Sequence, residues 1–190
     1  MITIGLPIFI FTLVIIVFYW RQDDIVDGLI KKMNTEHRGR FELKDSHISI
    51  FHDFPNLTIE LDGFNVFESK EKESIRVLGM EKVFAGIDFF SMLSKQITVN
   101  HLEFEKGDVE SITHIDGSNS IQNAFEKKSD KNEKDIANLE INSIEFNQIS
   151  FKHRSEIDSS NYVGHINTLH ADFSMLKDQV ELSLKSNIGV

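Results

Sequence analysis

The stretch ITVNHLEFEKGDVE (97–110) is the most informative part of the sequence, because it aligns without gaps on LEINSIEFNQISFK (139–152). In both copies apolar residues alternate with polar ones, which is typical of a strand with one buried face. The copies are identical at Asn100/Asn142 and Glu103/Glu145. The matched apolar pairs are Ile97/Leu139, Val99/Ile141, Leu102/Ile144, Phe104/Phe146 and Val109/Phe151. Such a repeat predicts two equivalent sections of one β domain.

A third, shorter copy precedes these two. The segment IELDGFNV (59–66) places Ile59, Leu61, Phe64 and Val66 in the same frame. Each copy contains one extra residue in its middle, so the alternation of its side chains shifts by one there. We expect a β-bulge, or a change of the facing side, at that point.

Residues 40–190 are expected to form one mainly β, mostly antiparallel domain with one or two accessory helices. Further alternating segments are Phe41/Leu43, Ile48/Ile50, Val83/Ala85/Ile87 and Val180/Leu182/Leu184. Short helices are predicted over Phe89–Leu93, after the capping residue Asp88, and over Ser118–Phe125, after the turn Asp116-Gly117. Residues 126–135 contain no apolar side chain and are expected to be a solvated loop.

The first 20 residues have a different composition from the rest. None of the 50 charged residues lies among them, and sixteen of them are apolar. As a helix, Ile2–Trp20 would span about 28 Å, close to the thickness of a bilayer's hydrocarbon core. Tyr19 and Trp20 end this segment as an aromatic interfacial anchor. A cleaved signal peptide is a poorer explanation, since a basic n-region and a small-residue cleavage site are missing. Residues 1–20 are therefore predicted to be an uncleaved transmembrane signal anchor.

Residues 21–39 are predicted to form an amphipathic helix after the anchor. Its apolar stripe consists of Ile25, Val26, Leu29, Ile30 and Met33, and Gly39 follows as a stop. This helix is expected either to join the core or to cover the end of the sheet. Arg21, Lys31 and Lys32 follow the anchor, and the positive-inside rule alone would place the remaining chain in the cytoplasm.

The rest of the composition excludes several kinds of function. Twenty basic and thirty acidic residues give a net charge of -10, which disfavours binding to nucleic acid. The absence of cysteine excludes disulfides, thiolate zinc sites and cysteine nucleophiles. None of the eight histidines forms an HExxH pair, and GxSxG, P-loop and GxGxxG motifs are missing. We therefore predict no enzyme activity, no catalytic residues, no metal site and no cofactor.

Several short motifs carry a family resemblance. The segment HDFPNLTIELDGFNVFES contains a Phe-Pro-x-Leu motif, Phe54-Pro55-Asn56-Leu57, followed by the third repeat copy. The later segment HIDGSN contains the turn Asp116-Gly117-Ser118-Asn119. Together with the predicted anchor and helix, these segments resemble the N-terminal region of the AsmA family. The resemblance covers nearly the whole chain. It implies a single-pass protein of the bacterial inner membrane, with its C-terminal body in the periplasm and with a longer native chain.

The AsmA family is similar to chorein-type, bridge-like lipid-transfer proteins, whose curved sheets carry acyl chains along an apolar groove. The resemblance therefore implies a curved, groove-like sheet, with the bilayer and phospholipid acyl chains as partners. It also implies a function in moving phospholipid between the membranes and in outer-membrane homeostasis. The candidate groove residues are Ile59, Leu61, Phe64, Val66, Ile97, Val99, Leu102, Phe104, Leu139, Ile141, Ile144, Phe146, Ile149 and Phe151.

Alternatives remain at the level of the sequence. The same phenylalanine-rich strands would also suit an ordinary closed β core. The strand at Gln179–Lys185 is expected to leave an open sheet edge, which could bind another envelope protein. The chain would then be a structural or interaction subunit of a larger envelope complex. A membrane-tethered hydrolase is a third class.

Overall fold

The computed structural model describes residues 26–49, 57–88, 97–128, 139–176 and 179–189. Residues 26–36 form helix α1, and Ser120–Phe125 form helix α2. The strands are β1 Arg40–Glu42, β2 Asp45–Ser49, β3 Leu57–Phe67, β4 Arg76–Ile87, β5 Ile97–Thr113, β6 Leu139–Ile141, β7 Ser143–Ser155, β8 Asn161–Leu176 and β9 Gln179–Gly189.

All nine described strands belong to one open sheet in the order β1-β3-β4-β5-β7-β8-β9. Two short strands complete it: β2 pairs with β3 beside β1, and β6 pairs with β5 ahead of β7. Every pairing is antiparallel except that of β5 with β6 and β7. The prediction of a mainly β, mostly antiparallel domain with accessory helices is confirmed at this level.

The exception is the repeat itself. Strands β5 and β7 run parallel, and Leu102 pairs with Ile144 while Phe104 pairs with Phe146. Each residue therefore lies beside its own equivalent in the other copy. The two phenylalanine rings stack with their centroids 5.0 Å apart and an interplanar angle of 10°. Side-chain alternation carries no information on strand direction, so the sequence could not distinguish this parallel pair from an antiparallel one.

The expected irregularity in the repeat lies at Asn100 and Asn142. Along the β4–β5 ladder Gly86 pairs with His101 and Ile87 with Val99, which leaves Asn100 as the extra residue. Asn142 occupies the same place between β6 and β7. The Asn142 Nδ2 amide donates to the Asn100 Oδ1 oxygen at 3.0 Å. The bulge predicted for the two long copies is confirmed.

A second irregularity crosses the sheet and defines what we call the crease. Gly63, Lys106 and Gln148 have φ angles of 63°, 50° and 56°, and they belong to β3, β5 and β7. The strand registers place these three residues in one row across the sheet. In the row on one side of it, Leu61 lies level with Phe104, and on the other side Phe64 lies level with Gly107. The alignment of the third copy on 97–104 was therefore displaced, because Leu61 matches Phe104 in space and not Val99.

The two helices lie at one end of the sheet. Phe41, Val66, Val77 and Ala124 form a buried cluster there, against which Ile30 and Met33 of α1 pack. The helix that follows the predicted anchor thus covers the end of the sheet, as one of its two expected placements had it. Helix α2 begins at Ser120, two residues later than predicted, because Asn119 is its cap: the Asn119 side chain accepts from the amides of Ile121 and Gln122.

Several predicted segments lie outside the described residues. These are the anchor 1–20 with Ile2, Tyr19 and Trp20, the start of the helix 21–39, the turn at 53–56, the helix Phe89–Leu93 and residues 129–135. Across the part of the chain that the structure describes, we find no helix with the length and apolar character needed to cross a membrane.

Candidate functional site

An apolar surface extends over one face of the sheet across five neighbouring strands. Three of its residues are buried and the others are partly buried around them. We call it the apolar face; its residues are Leu61, Phe64, Leu78, Met80, Val83, Leu102, Phe104, Val109, Phe146, Ile149 and Ile166. Four strand spacings separate β3 from β8, so this face is about 19 Å wide.

The crease keeps the face apolar on both of its sides. Leu61 and Phe64 are three residues apart, so regular alternation would send them to opposite faces. Gly63, which lies between them in the left-handed conformation, returns the Phe64 side chain to the same face as Leu61. Gln148 does the same between Phe146 and Ile149. This odd step explains the spacing in the third repeat copy. It indicates that the sheet is organised to keep one continuous apolar surface.

The apolar face continues under the helices at one end. Phe64 and Leu78 pack both against this face and against the helix-covered cluster of Phe41, Val66, Val77 and Ala124. Among the described residues, helical cover is found at this end, where α1 and α2 pack. The larger part of the face is built from half-buried side chains, including the stacked pair Phe104 and Phe146.

The structure brings together six of the fourteen groove candidates on the apolar face: Leu61, Phe64, Leu102, Phe104, Phe146 and Ile149. Val66 lies in the helix-covered cluster. Ile144 pairs with Leu102, Ile59 is half-buried on β3, Val99 is buried, Ile141 is half-buried, and Phe151 is 36% exposed. For Ile97 and Leu139 the structure describes only the strand positions, in β5 and β6.

Sequence reasoning missed five members of the face: Leu78, Met80, Val83, Val109 and Ile166. Val83 and Val109 carried a usable signal, since both lie in alternating or repeated segments. Met80 is separated from Val83 by the same odd step that separates Leu61 from Phe64, and that step hides Met80 from a search for alternation. The place of Met80 on the face follows only from the pairing of β4 between β3 and β5.

The opposite face of the sheet is charged. Lys82 pairs with Glu60, and Arg76 contacts Asp108 at 2.7 Å. Burial would raise the pKa of Glu60, but the hydrogen bond from Lys82 and the neighbouring charges of His47 and Lys82 outweigh it and lower that pKa. The pKa of Lys82 is raised, mainly by its hydrogen bond to Glu60. The sheet thus has one apolar and one ion-paired face.

One group on the charged face has metal-ligand chemistry. The ligand atoms of His47, Glu60 and Asp62 lie within 4.8 Å of one another. However, Lys82 already pairs with Glu60 and lies 3.9 Å from Asp62. The two ring nitrogens of His47 face Glu60 at 2.7 Å and Asp62 at 3.3 Å. A cation would have to displace Lys82, so we interpret this group as an ion-pair network that joins β2 and β4 to β3.

A serine and a histidine also meet on this face. The His101 Nδ1 atom lies 2.9 Å from the Ser143 hydroxyl, and Glu103 lies 3.8 Å from the other ring nitrogen. The Ser143 hydroxyl donates to the Asn100 carbonyl oxygen at 3.0 Å. Its proton therefore points away from the imidazole, whereas a nucleophilic serine would donate to its base. The contacts serve to hold β5 and β7 together at the repeat bulge.

Comparison with known proteins adds no relative to this picture. The chain matches no protein-family model, and no curated protein matches it.

Proposed function

We propose that this chain is a membrane-anchored, non-enzymatic envelope protein of the AsmA type, whose apolar face binds phospholipid acyl chains. The observation that carries the proposal is the continuous apolar face over five strands, with charged pairs on the reverse side. Eight of its eleven side chains are only half-buried, so part of their apolar area stays in contact with water. A contiguous surface of this kind is typical of a site that meets lipid or a partner. The short motifs shared with the AsmA family favour lipid.

The crease is a second support for a binding surface. Left-handed backbone at a non-glycine residue costs of order 1 kcal/mol, and both Lys106 and Gln148 adopt it. A surface that must stay apolar along its length needs the compensating step that these residues supply.

The proposed location follows from the predicted anchor and the family resemblance. Residues 1–20 would cross the bacterial inner membrane once, and Arg21 onward would lie in the periplasm. The function would be the handling or transport of phospholipid between the inner and outer membranes, in support of outer-membrane homeostasis. A reporter fused after Val190 that is active only in the cytoplasm would overturn this orientation.

A second candidate, a structural or interaction subunit, is favoured by the edge strand β9. Among the described strands β9 pairs with β8 alone, and its Leu184 is 60% exposed. A free strand edge can pair with an extended segment of another chain. This candidate predicts a co-purifying envelope protein and no stoichiometric lipid.

Lipid extraction tests the proposal. The full chain, purified in mild detergent, should carry phospholipid that mass spectrometry identifies. The variants Phe104→Glu and Phe146→Glu should stay folded, because a half-buried position on an open face lets the carboxylate reach water, while their bound lipid decreases. The matched control is Thr168→Glu, which adds the same charge at an exposed position on the charged face. Thr168 is assigned to that face because it pairs with Asn147, and the Asn147 amide contacts Glu103 and Glu145 there.

Two outcomes would count against lipid binding. In a closed core an unpaired buried charge costs several kcal/mol, so both variants would unfold and lose protease resistance. Alternatively, both variants could fold and keep as much lipid as the control. Either result would leave the interaction-subunit candidate as the better explanation.

A further inference from the structure

The side chain of His114 lies between two carboxylates that come from different loops. Its Nε2 atom is 2.7 Å from Glu68, which follows β3, and its Nδ1 atom is 3.4 Å from Glu156, which follows β7. His114 itself follows β5. The imidazole therefore joins three connections at the end of the sheet where the helices lie, and it does so through both of its ring nitrogens.

This geometry favours a protonated ring. A neutral imidazole has a single N–H donor, and an ionised carboxylate can only accept, so contacts to two carboxylates need the imidazolium form. Burial alone would lower the pKa of His114, but the hydrogen bonds and charges of Glu68 and Glu156 outweigh burial and raise it. The third acidic neighbour is Asp116, whose own pKa is lowered mainly by hydrogen bonds with Ser118 and also by the charge of His114.

The same carboxylate holds helix α2. Asn123 of α2 donates from Nδ2 to Glu68 Oε1 at 2.8 Å, on the same oxygen that His114 contacts. The helix is attached at its other side through the Gly39 amide, which donates to the Ala124 carbonyl at 2.9 Å, and through the ion pair of Arg38 with Glu126. Arg38 is also close enough to Glu68 for that charge to raise its pKa, after the larger effect of Glu126.

We propose that His114 is a proton-dependent latch that holds helix α2 over the end of the apolar face. With the ring protonated, Glu68 is fixed between His114 and Asn123, and Glu156 is drawn to the same point. When the proton leaves, one ring nitrogen becomes an acceptor that faces a carboxylate, and the two acidic loops repel each other. Repulsion from Glu156 then draws Glu68 away from Asn123, which weakens the attachment of helix α2, and the cluster around Ala124 opens more often.

The direction of the pH effect follows from the raised pKa. A histidine whose pKa is raised on folding contributes its stabilisation fully below the unfolded value of about 6.5, and loses it as the pH rises through the folded value. The latch is therefore closed in mildly acidic solution and released above the folded pKa of His114. This inference concerns the cover of the apolar face and holds whether or not lipid is the ligand.

Hydrogen exchange on the full chain in mild detergent tests the latch. Protection factors for the α2 amides, corrected for the intrinsic pH dependence of exchange, are compared with those of β4 between pH 6 and pH 9. We expect the protection factors of α2 to fall about tenfold relative to those of β4 as the pH rises. A decrease of this size corresponds to the loss of one charge-assisted hydrogen bond. His114→Gln should have the low value already at pH 6 and no further decrease. The control His165→Gln removes a histidine that contacts the Ser150 hydroxyl and should behave as the wild type.

The result that overturns the proposal is α2 protection that follows β4 at every pH in the wild type. Retention of the wild-type pH dependence by His114→Gln would overturn it equally. Should His114→Gln fail to fold, Glu156→Gln decides, because Glu156 is 36% exposed and its loss leaves the Glu68 contact in place. That variant should release α2 at lower pH than the wild type, and an unchanged release pH would contradict the latch.

Discussion

At the scale of single residues, the backbone of the crease determines which side chains reach the apolar face. Gly63, Lys106 and Gln148 share a left-handed conformation in one row of the sheet. A lysine and a glutamine in that conformation are less favourable than a glycine would be. Their presence is explained by what the step achieves, since it keeps Phe146 and Ile149 on the same side.

Gly107, next to the crease, is expected to be intolerant of any side chain. An added Cβ would lie 2.5 Å from the Gly79 carbonyl oxygen and would also meet the Met80 sulfur. We expect Gly107→Ala to lower the free energy of unfolding by about 1–3 kcal/mol, because two strands would have to separate. Urea denaturation of the full chain in mild detergent measures this. At Gly164 on β8 an added Cβ meets nothing within 4 Å, so Gly164→Ala should change stability by less than about 0.5 kcal/mol.

His170 makes stability depend on pH. Its Nε2 atom lies 2.8 Å from Asp172 and its Nδ1 atom 3.2 Å from Glu145. The hydrogen bond to Asp172 is the largest cause of its raised pKa; burial opposes it, and Glu145 adds to it. The raised pKa means that this stabilisation is present below about pH 6.5 and is lost as the pH rises through the folded value.

The expected result is a urea midpoint that decreases from pH 6 to pH 8.5 in the wild type and decreases less in His170→Gln. Two parallel curves for the wild type and the variant would show that the Asp172 and Glu145 contacts do not form in solution. The comparison is best made in the His114→Gln background, so that the two histidines are separated.

At the scale of elements, the repeat predicted the strands but not how they pair. The alternation in 97–110 and 139–152 located β5 and β7, and the extra residue predicted the bulge at Asn100 and Asn142. The parallel direction of the pair was not predictable, because alternation is the same in both directions. It depends on the crossover that contains α2, whose position is fixed by contacts with residues far away in the sequence, such as Gly39.

The first residues of the polar segment 126–135 also make contacts that the sequence did not predict. Its residues were expected to be solvated, and 126–128 are indeed exposed. They nevertheless lie against the end of α1, where His37 pairs with Lys127 and the Lys128 amide donates to the Glu36 carbonyl at 2.7 Å. Backbone hydrogen bonds of this kind need no apolar side chain, so hydropathy does not reveal them.

The predicted anchor at residues 1–20 can be tested at this scale. We expect the full chain to keep Met1 and to stay with the membrane during alkaline carbonate extraction, because an uncharged helix of this length is stable only in the bilayer. A variant lacking residues 2–20 should be released by the same treatment. An N-terminal sequence that starts after residue 20 would show instead that the segment is a cleaved signal.

At the scale of the whole molecule, the sheet is amphipathic from β3 to β8. The sequence located six residues of the apolar face, because their strands carry the repeat. It did not locate the contacts of His114, whose partners Glu68 and Glu156 lie 46 and 42 residues away. Carboxylates and histidines on surface loops have no local pattern, and only the pairing of β3, β4, β5 and β7 brings these three loops together.

Probes placed on the two faces of the sheet can distinguish lipid binding from a closed core. Phe104 and Glu105 are neighbours in β5, and alternation sends their side chains to opposite faces. Phe104 belongs to the apolar face, while Glu105 pairs with Lys106 at 3.7 Å. A probe at each position therefore samples one face of the same strand, in the same protein and at the same depth in the sheet.

The most direct measurement is photocrosslinking in living cells, with a photoreactive benzoylphenylalanine placed at Phe104 or at Glu105 of the full chain. After irradiation, the purified protein is analysed by mass spectrometry for covalent phospholipid. We predict a phospholipid adduct at Phe104 and none at Glu105, because only Phe104 lies on the face that we propose to bind acyl chains. A folded protein that yields no lipid adduct at Phe104, or equal yields at both positions, would contradict lipid binding by the apolar face.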